Sequence, residues 1–493
     1  EAMEISSTLI LTGLVLALIL FVRWKRDKEY ISLPPGPKPL PLLGNLLQID
    51  KSAPFTTLLE FSRLYGTVFT VYFGRQRAVV LVGYKTVKEA LCDQADDFAD
   101  RGVIPFLHNI TEGYGLASNG QCWQQLRRFT LGTLRNFGMG RKTMEEWILA
   151  ESKYLIDRLA KTNSVPCDPT YFLSQTASNV ICALVFGHRF EYHDDDFLQL
   201  LKIISQTVLF INTPLGQLYN TFPWLMDCLP GYQHKVLADT DKLKAFIMEK
   251  IHQHEKTLSP ASPRDFTDCF LIRLNQEKDN PSSEFHYKNM VATVLGLFIA
   301  GTETTSTTLK YALMMLIKHP NIQEKVQLEI DEVIGRDRCP VMEDRKSLPF
   351  TDAVIYEVQR YLDIAPMNVP HYATSDIVFK GYIIPKGTYI FPMLHSVLRD
   401  ETQWESPWTF NPGNFLDHNG NFKKNPAFIP FSAGKRACVG ESLAKMELFL
   451  FLVSLLQHFT FSCPGGPESL DPTPEYSSFG KIVRNYELIA TPR

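Results

Sequence analysis

The chain has 493 residues, of which 45% are apolar and 21% are charged. This composition allows a substantial folded core and excludes an intrinsically disordered protein. The formal net charge of −3 gives no reason to expect nucleic-acid binding. The nine cysteines include no Cys-x-x-Cys pair, which favours reduced thiols over a disulfide framework or a zinc site.

An apolar segment runs from Ile5 to Val22 and is followed by Arg23, Lys25 and Arg26. Its length of about 18 residues is enough to span a bilayer. The positive-inside rule then places the remainder of the chain in the cytosol. We therefore predict a single-pass signal-anchor over residues 1–24. A cleaved secretory signal is the alternative, but its charges would precede the apolar run.

Five prolines occur in the segment Leu33 to Asn45, LPPGPKPLPLLGN. Prolines stop a helix and favour stiff, extended chain. We predict a basic and proline-rich hinge over residues 25–46, which connects the anchor to a catalytic domain over residues 47–493. A ligand for a proline-recognition domain is the alternative interpretation.

Helical periodicity dominates the rest of the chain, and β-branched and aromatic residues mark a smaller β region. The predicted β elements are a hairpin over Phe69–Val82 with a turn near Gly74, and strands within Ile377–Leu394. The clearest predicted helices are Glu145–Leu159, Asn289–Lys318 and Ser442–Phe459. No glycine-rich nucleotide-binding motif occurs. The fold class is therefore predicted to be mainly α with a small β region.

Cys438 lies between Gly434 and Gly440, directly before an apolar helix. A thiol at a helix N-terminus is near the positive end of the macrodipole, and Lys435 and Arg436 add positive charge, so the thiolate is favoured. The glycines would let the backbone turn tightly or approach a flat ligand. Such a thiolate suits an axial haem ligand. A buried structural cysteine and a catalytic nucleophile are the alternatives.

The segment Phe431–Gly440 has the pattern Phe-x-x-Gly-x-Arg-x-Cys-x-Gly, and it resembles the haem-binding signature of the cytochrome P-450 family at every fixed position. The resemblance extends over nearly the whole chain and is to the microsomal vertebrate family 2 type. It implies the cytochrome P-450 fold, a triangular helical prism that encloses haem, on an N-terminal membrane anchor. It also implies haem b as cofactor, Cys438 as the axial iron ligand, and Phe431 and Gly440 in the cofactor site.

The hydroxyl-rich stretch Ala300–Thr305, AGTETT, lies inside the predicted helix Asn289–Lys318 and resembles the oxygen-activation motif of that family. The resemblance implies that Gly301 leaves space for oxygen, that Thr304 hydrogen-bonds it, and that Glu303 relays protons through water. A capping or packing cluster is the alternative.

Glu357 and Arg360 are spaced i, i+3 on a predicted helix and resemble the structural Glu-x-x-Arg pair of the family. The family usually completes this lock with Arg or His in a Pro-x-x-Phe segment. Here Pro412–Phe415 carries Asn414 at that position. The departure would weaken the ionic part of the lock, although an asparagine can still hydrogen-bond.

Haem carries two propionates that need cationic partners. The resemblance assigns cofactor-binding roles to Arg101, Trp123, Arg127, His371 and Arg436. Any one of them alone could instead be a solvated surface residue. A further set of basic residues would attract an acidic electron donor, or would be a dispersed solvated surface: Arg128, Arg135, Arg141, Lys142, Lys423, Lys424 and Lys435.

The resemblance also implies a mostly apolar substrate pocket, which would take a lipophilic molecule. Its predicted residues, each of which could equally belong to the core, are Ile104, Phe106, Ile110, Leu116, Phe210, Leu295, Phe298, Ala365, Val369 and Phe479.

The resulting expectation is a monooxygenase in the endoplasmic reticulum membrane, with its catalytic domain facing the cytosol. It would insert one oxygen atom from O2 into a fatty acid, steroid or xenobiotic. Electrons would come from NADPH through NADPH-cytochrome P-450 reductase, with cytochrome b5 as an accessory donor; membrane lipid is a further partner and nucleic acid is not. Two alternatives remain: a haem-thiolate isomerase or dehydratase that acts on peroxides, and a membrane-bound haem sensor or carrier.

Overall fold

A computed structural model describes residues 33–137 and 142–493, apart from the side chains of residues 142 and 143. The predicted anchor and residues 25–32 of the predicted hinge lie outside these ranges. Among the described residues, no helix is both long enough and apolar enough to cross a membrane.

The β region is small, and it combines two strands near the start of the described chain with strands from its second half. A four-stranded sheet has the order β1-β2-β6-β3, in which β6 runs parallel to β2 and the other neighbours are antiparallel. The predicted hairpin is confirmed, with Phe73 paired to Gln76 around Gly74. The strands are β1 Val68–Phe73, β2 Gln76–Leu81, β3 His371–Tyr372, β4 Ile377–Phe379, β5 Tyr382–Ile384, β6 Tyr389–Pro392, β7 Phe459–Ser462, β8 Tyr476–Ser477, β9 Lys481–Ile482 and β10 Ile489–Pro492.

Helices make up most of the described chain, and the three clearest predicted helices are confirmed as α5, α12 and α16. The helices are α1 Pro54–Tyr65, α2 Tyr84–Lys88, α3 Pro105–Thr111, α4 Gly120–Asn136, α5 Lys142–Ala160, α6 Thr170–Phe186, α7 Asp195–Asn212, α8 Pro214–Thr221, α9 Pro223–Met226, α10 Tyr232–Thr257, α11 Phe266–Gln276, α12 Tyr287–Lys318, α13 Pro320–Val333, α14 Pro349–Leu362, α15 Leu394–Leu398 and α16 Glu441–His458. A π-helical turn covers Glu89–Asp93.

The main core is helical and surrounds α12. Both α6 and α12 are buried along most of their length, which explains why apolar residues occur on all their faces instead of on one stripe. Helix α16 packs on α12 and is also largely buried. Two smaller apolar clusters lie around the sheet and around the loops that follow α14.

The described part of the predicted hinge is not a free spacer, because it lies against β1. Thr70 donates from Oγ1 to the Pro34 carbonyl at 2.8 Å and from its backbone N to the Pro35 carbonyl at 2.8 Å. A Cβ at Gly36 would come within 1.9 Å of the Thr70 carbonyl oxygen. A glycine is therefore required where the proline-rich segment crosses the strand.

Candidate active site

The loop that carries Cys438 is held by a hydrogen bond within the loop and by a close contact with the π-helical turn. The Cys438 backbone N donates to the Phe431 carbonyl at 3.0 Å. Gly434 has φ +72°, and a Cβ there would be 1.8 Å from the Leu91 carbonyl oxygen. A glycine is therefore required at position 434 for two reasons. The backbone there has a positive φ, and it lies in close contact with the π-helical turn. Gly440 differs, because a Cβ there would lie 3.9 Å from the Cys438 Sγ, which is an ordinary van der Waals distance.

The Cys438 thiol does not have the low pKa that the sequence predicted. Burial raises its pKa and Glu441 adds to that effect, while Arg127 and the backbone N–H groups of Gly440 and Glu441 oppose it. Lys435 is instead paired with Asp96, and Arg436 points toward backbone carbonyls. A thiol of this kind loses its proton when a metal binds, because the thiolate is the ligand.

Across the site, α12 presents Ala300, Gly301 and Thr304 on one face. Thr304 Oγ1 donates to the Ala300 carbonyl at 2.6 Å. A Cβ at Gly301 would come within 2.5 Å of Ile181 Cδ1. The glycine therefore also lets α12 approach α6 closely, a role that the sequence motif alone did not reveal.

Glu303 points away from this face. Ser205 on α7 donates a hydrogen bond to its Oε1, and burial raises its pKa although Ser205 and Lys310 lower it. Glu303 is not among the residues that line the cavity beside Thr304. Its proton-relay role stays a prediction.

One cavity of about 330 Å³ joins the two sides of the site. Cys438, Val439 and Gly440 line one part of it, and Gly301 and Thr304 line another. Cys438 and Thr304 have accessible surface although they lie inside the fold, and this surface faces the cavity. Residues that are distant in the sequence thus share one chamber, which we call the cysteine cavity.

Three arginine side chains converge at the edge of the cysteine cavity. Arg101 bonds to the carbonyls of Val369 and Arg436, and Arg127 bonds to the Ala437 carbonyl at 2.6 Å. Arg436 bonds to the carbonyls of Ala99, at 2.7 Å, and Ser118, at 3.0 Å, and to Asn119 Oδ1 at 2.8 Å, and lies 3.8 Å from the centre of the Trp123 ring.

None of the three arginines forms an ion pair with a carboxylate of the described chain, although the charge of Asp100 raises the pKa of Arg436. Burial, aided by Arg436 and Arg127, lowers the pKa of Arg101 to about 9. The buried His371 Nε2 has no hydrogen-bond partner among the described residues, and burial and Arg101 hold its pKa well below the usual value. A cofactor with two carboxylates fits this arrangement, because it would supply the missing negative charge.

Glu357 and Arg360 form a fully buried ion pair, with Arg360 Nη2 2.7 Å from Glu357 Oε1 and both side chains 0% exposed. Arg360 also donates to the carbonyls of Leu398, Pro407 and Thr409. Asn414 Nδ2 lies 3.3 Å from both Glu357 oxygens. The asparagine therefore contributes hydrogen bonds to the lock but no charge.

We expect Asn414→Ala to destabilise the protein by about 1–3 kcal/mol, because it leaves a buried charged acceptor with fewer donors. The free energy of unfolding in urea measures this. Asn419→Ala is the control, since Asn419 lies in an exposed turn. Equal unfolding free energies for the two variants would contradict a role of Asn414 in the lock.

The predicted substrate residues do not all meet in one chamber. Ala365 and Val369 line the cysteine cavity. Ile104 and Phe479 line a second cavity of about 300 Å³, and Ile110 lines a third. The remaining ones pack in or against the helical core: Phe106, Leu116, Phe210, Leu295 and Phe298.

Sequence reasoning missed Glu447, which also lines the cysteine cavity. It is buried in α16, accepts a hydrogen bond from Thr305 Oγ1 at 3.2 Å, and leaves Oε1 without a partner among the described residues. Burial raises its pKa to about 8. An acid in the apolar interior of the helix was a signal for it, but its partner on α12 is 142 residues away.

Comparisons with known proteins identify the family of the chain. The family model described as Cytochrome P450 matches residues 34–490. Over 476 residues, the chain is 50% identical to Cytochrome P450 2C20 of Macaca fascicularis and 48% identical to Cytochrome P450 2C8 of Homo sapiens, in each case covering 96% of this chain and 97% of the relative. It is 49% identical over 481 residues to Cytochrome P450 2C5 of Oryctolagus cuniculus, covering 97% of this chain and 98% of the relative. The chain therefore belongs to the cytochrome P450 family, as a haem-dependent monooxygenase similar to members of family 2.

Proposed function

We propose that the chain inserts one oxygen atom from O2 into a lipophilic substrate, with electrons that pass from NADPH through a separate reductase. The observation that carries this proposal is the cysteine cavity, in which Cys438 and the Thr304 hydroxyl share one chamber with mostly apolar walls. Apolar walls favour a lipophilic substrate and exclude water. Fatty acids, steroids and xenobiotics all match that chemistry.

Haem b, bound through Cys438, would supply the binding and activation of O2. Cys438 would donate its sulfur to the iron, and Gly440 would lie beside that sulfur. Arg101, Arg127, Arg436 and His371 would hold the two propionates, while Trp123 supports Arg436 through its ring. Phe431 lines the same cavity and would contact the porphyrin.

Thr304 would manage proton delivery at its Oγ1. In the structure this hydroxyl donates to the Ala300 carbonyl, and rotation about χ1 would redirect it into the cavity. Glu303 would replenish the proton from the α7 side, since burial raises the pKa of its carboxyl and makes a protonated form more accessible. Gly301 would keep the space between α12 and the reacting oxygen open.

An acidic redox partner suits the exposed basic residues. Arg128, Arg135, Lys423 and Lys424 are exposed, whereas Lys435 is already paired with Asp96. Arg141 and the side chain of Lys142 lie outside the described parts of the chain. Such a surface would attract NADPH-cytochrome P-450 reductase and cytochrome b5 electrostatically.

We further propose residence in the endoplasmic reticulum membrane, with the catalytic domain on the cytosolic side. Two exposed apolar groups support contact with lipid: Leu42 is 70% exposed and Trp224 is 69% exposed. Both neighbour the β1–β2 turn, since Gly74 N donates to the Leu43 carbonyl at 3.2 Å and a Gly74 Cβ would lie 3.2 Å from Phe222. Exposed apolar patches of this kind mark interaction sites.

We expect Thr304→Ala to keep NADPH consumption but to lower product formed per NADPH by about 10-fold or more, since general acid–base assistance contributes about 10²–10⁴-fold. The ratio of product to NADPH, measured with purified reductase and a lipophilic substrate, checks this. Thr307→Ala is a matched control on the same helix, because Thr307 does not line the cysteine cavity. Unchanged coupling in Thr304→Ala would refute the proton-delivery role, and absence of reductase-dependent product from the wild type would refute the proposed function.

A further inference from the structure

His254, in the last turn of α10, contacts the residue that begins α11. Its Nε2 lies 3.0 Å from Asp265 Oδ2. Asp265 is the N-cap of α11, and its Oδ1 accepts a hydrogen bond from the Asp268 backbone N at 2.9 Å. The side chains of His254 and Asp265 are only 9% and 1% exposed. The contact therefore joins the end of one helix to the start of the next, across the loop of residues 258–264.

Helix α6 ends against the same contact. Gly187, its C-cap, has φ +72°, and a Cβ there would lie 2.9 Å from Asp265 Oδ2. The centre of the Phe186 ring lies 6.1 Å from the centre of the His254 ring. The ends of α6 and α10 and the start of α11 thus meet at one buried carboxylate, and α6 contributes no charge to the junction through these two residues.

Both ring nitrogens of His254 face oxygen acceptors. Nδ1 lies 2.8 Å from the Lys250 carbonyl oxygen, and Nε2 faces the Asp265 carboxylate. A neutral imidazole carries one N–H group, whereas an imidazolium carries two. Both contacts are therefore hydrogen bonds only while His254 is protonated.

The charges around His254 balance only in this protonated form. Arg264 binds both carboxylate oxygens of Asp268, at 2.7 and 2.8 Å. Burial would raise the pKa of Asp268, but the hydrogen bonds from Arg264 outweigh it and lower the pKa. The Lys250 ammonium lies over aromatic rings instead of at the carboxylates. Two carboxylates thus face two cations, and loss of the His254 proton leaves Asp265 without its cation.

We propose that His254 is a pH-sensitive latch: its imidazolium, on Asp265, keeps the loop of residues 258–264 and the first turn of α11 closed against α6 and α10, and loss of its proton releases them. The latch acts whether or not the chain carries out the oxidation proposed above. Its state would change near neutral pH, where histidine is the side chain that ordinarily titrates.

The latch weakens as pH rises. Burial alone would lower the pKa of His254, but the hydrogen bond and the charge of Asp265 outweigh it and raise the pKa above the ordinary value of 6.5. The open latch restores the ordinary pKa, so between the two values the closed form holds more protons than the open form. The stabilisation is therefore fully present below about pH 6.5 and is lost as pH rises through the pKa of the closed form. Burial raises the pKa of the neighbouring Cys269 to about 11, so that thiol stays neutral in this range.

The test is amide hydrogen exchange of the haem-loaded full chain at about pH 6 and about pH 8.5, corrected for intrinsic exchange rates. In the wild type, peptides over residues 255–268 are expected to exchange several-fold faster at the higher pH. The increase is at most about tenfold for each unit by which the pKa of His254 is raised. Peptides over residues 68–81, in the β1–β2 hairpin, should change less, which separates opening of the latch from global unfolding.

His254→Gln is the test variant, because a glutamine amide carries no charge and does not titrate. Its peptides over residues 255–268 are expected to exchange fast at both pH values. His252→Gln is the matched control on the same helix, since His252 is 57% exposed and pairs with Glu255 instead of Asp265. It should retain the wild-type pH response.

Three results would overturn the latch. The first is wild-type exchange over residues 255–268 that does not depend on pH, and it is decisive even if His254→Gln does not fold. The second is an equal pH response over residues 68–81, which would indicate a global loosening. The third is a pH response that persists in His254→Gln, which would assign the titration to another group.

Discussion

Replacing Cys438 by serine is expected to reduce oxidation of any lipophilic substrate by more than about 100-fold, which corresponds to at least about 2.7 kcal/mol in the barrier. The reason is that a serine hydroxyl does not replace thiolate as an electron-donating ligand. The carbon-monoxide spectrum of the reduced protein should also lose its thiolate-type band. Because the Cys438 side chain faces a cavity, the substitution should leave the fold intact.

Cys339→Ser is the control for this experiment. Cys339 is exposed and does not line the cavity that contains Cys438, so that variant should keep both the spectrum and the activity. A thiolate-type spectrum in Cys438→Ser would show that the ligand assignment is wrong. Loss of the spectrum in both variants would point to a folding defect and would remove the support for Cys438.

Replacing Arg360 by methionine is expected to destabilise the protein by about 3–5 kcal/mol, because it leaves Glu357 as an uncompensated buried charge. The carbonyls of Leu398, Pro407 and Thr409 would also lose their donors. These loops precede the Cys438 segment, so haem retention should fall as well. Urea unfolding and the haem content of the purified protein measure the two effects.

Lys346→Met provides the comparison for a surface ion pair. Lys346 and Glu343 are 76% and 77% exposed, and such pairs are worth about 0–1 kcal/mol. The two substitutions remove the same charge, so burial is the main difference between them. An Arg360→Met protein as stable as Lys346→Met would contradict the structural importance of the buried lock.

Local patterns predicted the elements well. The alternation from Phe69 to Val82 predicted the hairpin, because the side-chain period of a strand is visible in consecutive residues. The helix over Asn289–Lys318 was predicted within two residues at its start. The short motif around Cys438 predicted a haem-binding loop, since a fixed spacing of glycine, arginine and cysteine is itself a local signal.

Properties set by distant contacts were not predictable in the same way. The pKa of Cys438 depends on burial beneath several elements, and burial outweighs the helix N-terminus that was visible in the sequence. The close contacts of Gly434 with Leu91 and of Gly301 with Ile181 join segments more than a hundred residues apart. The predicted substrate-pocket residues lie in different cavities or in the core for the same reason. The apolar character of a residue does not indicate which cavity wall it lines.

The convergence of Arg101, Arg127 and Arg436 has a consequence for the life of the protein in a cell. Like charges that are brought together without a counter-charge oppose folding, and an anionic cofactor that binds only the folded chain removes this penalty. We therefore expect the cellular level of the protein to follow the supply of haem. Chains synthesised faster than haem would present a less stable fold to proteases and would be degraded first.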